Sequence, residues 1–408
     1  MTASSDNRFP KLRLIDATAT TQDGEPAILL RDPLQLSGNY MVLPQFFGPA
    51  LMMMDGSHDV NSIRTRLVVQ YGIPMPRDLL DHLVSVLDEN FMLENAQSDA
   101  AHERVLAEYR SAPFRPAMMA GQSYPAQPHR LRAMFDGYLS QVDGTAQPAE
   151  GRGVASPHID YARGGPVYAA VWQQARQMVR AADLVVLLGT DHYGTGEDRL
   201  TLTRQHYATP YGVLPTDTAI VDALAAAIDP EAAFNGELRN RGEHSLELVA
   251  TWLHHMRGGE PVATVPVLTG SFGDFILGQA EPAVDATLNA FLDTLRQHMD
   301  GRRALVVASG DLAHVGPAFG GAPLDQAARD WITAADEALM AHMVAGDAEG
   351  FFAAVKGVRD RNNVCGVAPF YLMMRLLRDA EGSVAAYDQC PADPQDTSLV
   401  SVCGMVFG

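Results

Sequence analysis

GVASPHIDYARGGPVYAAVWQQARQMVRAADLVVLLGTDHYG, residues 153–194, decides how the larger part of the chain folds. It opens with a short apolar run, GVAS (153–156), that stops at Pro157-His158. A break at Gly164-Gly165-Pro166 follows, then the helix-like VYAAVWQQARQMVRAA (167–182) and the β-branched run DLVVLLG (183–189). The same texture returns in PVATVPVL (261–268), ALVVAS (304–309) and SLVSVCGMVF (398–407), with a helical AVDATLNAFLDTLRQHMD (283–300) among them. Buried β-branched strands separated by helices predict an α/β layered sheet.

Three of these runs end alike. GVAS leads to Pro157-His158, DLVVLLG to Asp191-His192, and ALVVAS to Asp311 and His314. Ligands of open α/β sheets bind beyond the carboxyl ends of the strands, so parallel, adjacent strands would bring these side chains to one rim. In NNVCGVAPFYLMMRLLRD (362–379), Cys365 stands at the start of a predicted helix, where a thiolate is stabilised. Two imidazoles and a thiolate make a three-ligand site open to water, oxygen or substrate, suited to zinc, copper or iron. RGEHSLELVATWLHHM (241–256) adds Glu243, His244 and Glu247 as lining or supporting groups and puts His254-His255 on the surface. The turn-rich ATPYGVLPTD (208–217) is expected to cover the site.

Each residue also has a plainer reading. His158 can be a turn residue, and His192 can cap the next element. Asp311 can N-cap a helix beginning near Leu312, with His314 exposed on its first turn. Cys365 can be a small core residue. Cys390 sits in a polar loop, YDQCPADPQD, and Cys403 in an apolar strand.

The first hundred residues differ in texture. AILLRDPLQL (27–36) predicts a short strand pair, and LPQFFGPALMMMD (43–55), DVNSIRTRLVVQYG (59–72) and PRDLLDHLVSVLDENFML (76–93) predict helices. The pattern is a small winged-helix-like module over residues 1–99, joined by a linker helix and loop (100–119) to an α/β domain over 120–408. It is similar to PqqD-like peptide-recognition modules. With 30 basic against 49 acidic side chains, a net charge of −19 argues against a nucleic-acid partner. No apolar run is long enough to span a bilayer, and three cysteines in 408 residues form no disulfide framework. A cytoplasmic protein is expected.

AGQSYPAQPHRLRAMFDGYL (120–139), SPHIDY, LGTDHYG, TPYGVLPTD, GEHSLE, SGDLAHVG and VCGVAP stand in the order found in Memo-like proteins, including AmmeMemoRadiSam system protein B. The resemblance spans roughly residues 113–408. It implies a three-layer α/β/α sandwich similar to the class III extradiol dioxygenases, which use non-haem iron. It further implies a metal site of His158, His192 and Cys365 with Asp311 and His314 close by, and partners of AMMECR and radical SAM type. The surroundings depart from the family pattern. Pro-His-Ala-Gly-Tyr is here Pro157-His158-Ile159-Asp160-Tyr161, and Pro-Ser-His-His is Thr190-Asp191-His192-Tyr193. The Tyr-Ser-Gly that tends to follow Pro-His-Ala-Gly-Tyr reads Ala162-Arg163-Gly164-Gly165. Ser-Ser-Asp is Ser309-Gly310-Asp311, and the Arg after Cys-Gly is Val367.

The leading expectation is a metal-dependent redox enzyme using iron (Fe2+) or copper, dioxygenase-like, on a small molecule or peptide. Asp311 would orient an imidazole or receive a proton, His314 would act as general acid/base, and His244 would line the pocket. The alternatives are a non-catalytic scaffold, with a peptide on the N-terminal module, and a zinc-dependent hydrolase.

Overall fold

The computed structural model describes residues 7–142, 150–194, 196 and 198–408, and the chain divides into two compact units, Met1–Ser111 and Ala112–Gly408. No helix among the described residues is long and apolar enough to cross a membrane.

In the first unit, β1 (Asp16–Gln22), β2 (Glu25–Arg31) and β3 (Tyr40–Pro44) form an antiparallel sheet in that order. The strand pair expected within 27–36 is therefore wrong in its partner. Residues 25–31 pair with the upstream, Thr-rich 16–22. The cause lies at Asp32, whose carboxylate accepts the N–H groups of Leu34 (3.0 Å) and Leu36 (2.8 Å) and bends the chain there. Helices Val60–Tyr71 and Arg77–Glu89 follow the predicted periodicity and bury Ile63, Leu67, Leu80, Leu83 and Leu87. Asp59 caps the first of them by accepting from Ser62 N–H, and Gly72, at φ 65°, ends it. The expected helix over 43–55 shrinks to Gly48–Met52, because Pro44 still belongs to β3 and a single tight turn intervenes. A fourth helix, Ala96–Ser111, completes the unit.

The second unit carries β4 (Gly153–Ser156), β5 (Leu184–Thr190), β6 (Leu200–Leu202), β7 (Tyr207–Thr209), β8 (Gly212–Leu214) and β9 (Ala263–Thr269). After these come β10 (Ala304–Ser309), β11 (His314–Val315), β12 (Gly382–Pro391) and β13 (Leu399–Phe407). Its main sheet has the order β11-β13-β4-β10-β5-β9-β6, with β12 also on β13. The centre, β4-β10-β5-β9, is parallel, while β13, β12, β11 and β6 run antiparallel to their neighbours. The sheet is therefore mixed.

Side chains alternate between two helix layers, as the pleat requires. Val186, Leu188, Val306 and Ala308 pack with Leu224, Phe291 and Phe370 on one face. Val185, Leu187, Leu305 and Val307 pack with Trp172, Val249 and Trp252 on the other. Register decides what this scaffold presents. Ser309 of β10 lies opposite Ser156 of β4 and Gly189 of β5, so the three strands end in step.

Several local expectations are corrected. Gly164-Gly165-Pro166 is no break: a helix runs through it from Tyr161 to Gln174, capped by Asp160, which accepts from Arg163 N–H at 3.1 Å. Both glycines are needed for packing, since a Cβ at Gly164 would strike Ile159 and one at Gly165 would lie 2.5 Å from the Tyr138 ring. Cys390 is not in a loop but buried in β12, an edge strand whose half-exposed face hides it from a hydropathy reading. No helix starts near Leu312; the chain turns and enters β11. His254 is not at the surface. It is buried between Thr209 Oγ1 (2.7 Å from Nδ1) and the Gly259 carbonyl (3.0 Å from Nε2). The β7–β8 hairpin likewise does not cover the strand ends. The chain just after it pairs Thr216 with Thr264, at the opposite end of β9.

Candidate metal centre

Because β4, β10 and β5 end in step, the residues after them meet. His158 follows β4, His192 follows β5, and the turn after β10 brings Asp311. Cys365 enters from the other side, just before Gly366, the N-cap of helix Val367–Leu377. One ligand atom from each of His158, His192 and Cys365 can be chosen so that all lie within 4.8 Å of one another. The same holds for His192, Glu243 and His244, and for Asp311, His314 and Cys365. The imidazoles crowd together: ring centroids are 4.9 Å apart for His158–His192, 5.3 Å for His158–His244 and 4.6 Å for the stacked His192–His244 pair.

Two glycines permit this approach. A Cβ on Gly310 would lie 2.5 Å from the Gly366 Cα, and one on Gly366 would lie 2.9 Å from the Asp311 carbonyl oxygen. The backbones of the two loops therefore touch, and Gly366 N–H donates to the Asp311 carbonyl at 2.9 Å. Asp311 N–H donates to Cys365 Sγ (3.2 Å), and His158 Nε2 lies 3.1 Å from that sulfur. The Asp311 carboxylate is wedged inside: Oδ1 accepts from the N–H groups of His158 (2.8 Å) and Ile159 (3.3 Å). Its Oδ2 stands 3.8 Å from His158 Nε2 and 3.9 Å from His314 Nε2.

Glu243 supports the opposite side. It is fully buried at the N-cap of helix His244–Met256 and accepts from His192 N–H (2.9 Å) and Ser245 N–H (2.9 Å). Its Oε1 also lies 3.0 Å from His192 Nδ1 and 3.1 Å from His244 Nδ1. A carboxylate on Nδ1 leaves Nε2 as the ring nitrogen free to face the cluster. Glu247, by contrast, is outside the site. It accepts from Arg115 Nη1 (2.6 Å), Tyr124 Oη (2.5 Å) and the N–H groups of Met118 and Met119, and so clamps residues 115–124 onto the unit.

Burial and neighbouring charge set the protonation states. Burial, reinforced by His192 and His244, holds His158 well below the usual imidazole range, so it is neutral and able to ligate. Burial would lower His192 too, but Glu243 and its contact with Cys365 outweigh it and raise that imidazole well above its usual value. Glu243 is the converse case: burial opposes its charge, and His192 and His244 still hold it well below the carboxylate range. Asp311 is raised and His314 lowered, both mainly by burial. Burial also raises the Cys365 thiol, while His192 and the Asp311 N–H act to lower it.

Some supporting groups carried no sequence signal. Thr190 Oγ1 donates to the Cys365 carbonyl (2.9 Å), and Ser309 Oγ donates to the Ser245 carbonyl (2.6 Å). Asp191, adjacent to His192, is turned away onto Arg239 Nε (2.8 Å). A cavity of about 260 Å³ is lined by Thr190, Thr269, Phe272, Asp360 and Cys365 among others.

Histidine and cysteine ligand atoms gathered beyond the parallel strands of an α/β sheet make a candidate metal centre at the strand ends. A family model described as Memo-like protein matches residues 115–406, and the chain belongs to that family. It is similar to a MEMO1 family protein of Aquifex aeolicus, 25% identical over 407 residues and covering 98% of this chain and 99% of the relative. A MEMO1 family protein of Thermus thermophilus is 26% identical over 80% of this chain and 93% of its own length. One from Methanopyrus kandleri is 27% identical over 66% and 89% respectively.

Proposed function

We propose that the second unit holds a redox-active metal ion, iron (Fe2+) or copper, on His158, His192 and Cys365, and acts as a dioxygenase-like oxidoreductase. The observation that carries this reading is the convergence of the three ligand atoms within 4.8 Å, with His192 fixed from behind by a buried carboxylate. The donor set fits: two imidazoles and a sulfur suit iron, copper or zinc, and a neutral His158 needs no deprotonation to bind. When bound, such an ion would supply Lewis acidity and electron transfer.

The chain's own residues supply the rest. His314 Nδ1 lies 3.1 Å from the Asn363 carbonyl and 3.3 Å from the Leu312 carbonyl, so Nδ1 carries the proton and Nε2 is a free acceptor. That Nε2 faces Asp311 Oδ2, and the pair forms a route for a proton between the site and His314. Asp311, through the His158 N–H, holds the first ligand in place. His244, stacked on His192 and tied to Glu243, forms one wall.

Helices on both faces of the sheet, and a site at the strand ends, support a likeness to the class III extradiol dioxygenases. Family membership supports partners of AMMECR and radical SAM type, and three cysteines without disulfides support a cytoplasmic location. The strands and short helices of the first unit support a PqqD-like, winged-helix-like role in holding a peptide.

Purified protein is expected to retain about one metal ion per chain, with elemental analysis giving iron or copper. His158→Ala and Cys365→Ser should each abolish retention while far-UV circular dichroism stays unchanged. Unchanged metal content in both variants removes the site. Zinc would turn the reading toward hydrolysis. The iron-loaded protein is expected to consume oxygen with at least one member of a panel of catechols and small thiols, and no turnover across the panel favours a scaffold.

A further inference from the structure

The rim carries a second cavity that the metal ligands do not explain. It has a volume of about 270 Å³, and its walls include Phe319, Leu324, Trp331 and Ile332, with Arg361 and Asn363. Phe319 and Trp331 are each 37% exposed, whereas Trp172 and Trp252 are fully buried. The Arg361 guanidinium lies 3.8 Å above the Trp331 ring. Among the described residues no carboxylate pairs with it, and no other lining side chain of this cavity is ionisable. Asp360, next in sequence, lines the neighbouring cavity, and its Oδ1 accepts from Val364 N–H at 2.9 Å.

The cavity also adjoins the site. Asn363 lines both cavities, and its carbonyl lies 3.1 Å from His314 Nδ1. The His314 ring stands edge-on to Phe319, with centroids 5.2 Å apart. One face of His314 therefore belongs to the metal cluster and another to this aromatic wall.

The geometry points to a recognition pocket for a planar aromatic ring bearing a carboxylate, with the ring against Phe319 and Trp331 and the anionic group on Arg361. Placing that ring beside a reacting centre rests on the metal-site reading; the pocket itself does not. A benzene ring fits a cavity of about 150 Å³, so a substituted ring is accommodated. Arg361 is held in place by stacking and still presents its donors, which suits a planar carboxylate. In a chain of net charge −19 the general field repels anions. An exposed guanidinium stacked on the aromatic wall of the pocket, with no carboxylate paired to it among the described residues, therefore selects an anion locally.

The test uses the full chain treated with chelator, and Trp331 fluorescence as reporter. Benzoate should produce a saturable change, and neutral benzamide should bind about tenfold more weakly, the worth of one charge-assisted contact. Arg361→Gln should bring benzoate to the level of benzamide and leave the metal content of untreated protein unchanged. Trp331→Phe should remove the optical signal while calorimetry still registers benzoate. Equal affinities for benzoate and benzamide, no saturable binding, or a preference that survives Arg361→Gln would each overturn the pocket. If benzoate binds only before chelation, the metal holds it; the pocket is then refuted and the metal reading stands. If benzoate binds and the purified protein carries no metal, the metal reading fails alone.

Discussion

Replacing Glu243 with glutamine changes one oxygen for an amide nitrogen and removes a buried charge beneath His192. The wild-type carboxylate accepts from His192 N–H at 2.9 Å and Ser245 N–H at 2.9 Å, and meets His192 Nδ1 at 3.0 Å. Hydrogen bonds to an ionised acceptor are roughly twice as strong as neutral ones, and each contributes about 1.5–3 kcal/mol. The glutamine still accepts through one oxygen, so about half of one such bond, roughly 0.8–1.5 kcal/mol, is lost from the orientation of His192. A further loss arises if the amide nitrogen faces an N–H donor. The expected weakening of metal affinity is about 10–100-fold, the range typical of groups that fix a ligand from behind. Competition against a chromophoric chelator measures it, with thermal unfolding of chelated protein as the control for folding. Affinity within about twofold of wild type in a folded variant would show that His192 does not depend on Glu243, and the ligand assignment would lose its main support.

Asp336 is a buried carboxylate whose pKa burial pushes up to about 6, with Tyr387 Oη donating to it at 2.8 Å. A raised carboxyl pKa means the folded state binds the proton more tightly, so this group favours folding below pH 4 and loses that contribution as pH rises to 6. At pH 7 its charge costs about 3 kcal/mol. Asp336→Asn should therefore raise stability at pH 7.5 by up to that amount and lose its advantage near pH 4; denaturant melts at the two pH values check this. Arg115 is fully buried against Glu247, and Arg115→Met should cost about 3–5 kcal/mol by leaving that carboxylate without its cation. A loss below about 1 kcal/mol in urea denaturation would mean that Tyr124 and the two backbone N–H groups suffice.

What the sequence disclosed, it disclosed through periodicity. β5 and β10 are continuous apolar runs of strand length with adjacent valines, followed at once by polar residues, and that length and composition favour strand over buried helix. The order of motifs sufficed to identify the family. What stayed hidden depends on partners far along the chain. Nothing local marks His254 as buried, since Thr209 satisfies it from 45 residues upstream. Glu247 looks like a candidate site residue until Arg115 and Tyr124, more than 120 residues away, claim it. β12 and β1 are half or fully exposed, so neither gives a hydrophobic run. The departures around His158 acquire a structural reason: Asp160 caps its helix, and Ile159 packs against Gly164.

The position of β13 bears on how the protein comes into being on the ribosome. This strand lies inside the sheet, between β12 and β4, yet it is synthesised after every other strand. It also pins the turn that carries Asp311: Leu312 N–H donates to the Ser401 carbonyl, Ala313 N–H to Ser401 Oγ, and Ser401 N–H to the Ala313 carbonyl. Until residues 405–407 have emerged β4 has an open edge, and until residue 401 has emerged that turn is unanchored. The nascent chain thus carries two histidines and a cysteine with no finished cradle for them. A metal ion held there would meet a complete cradle only once β13 has paired.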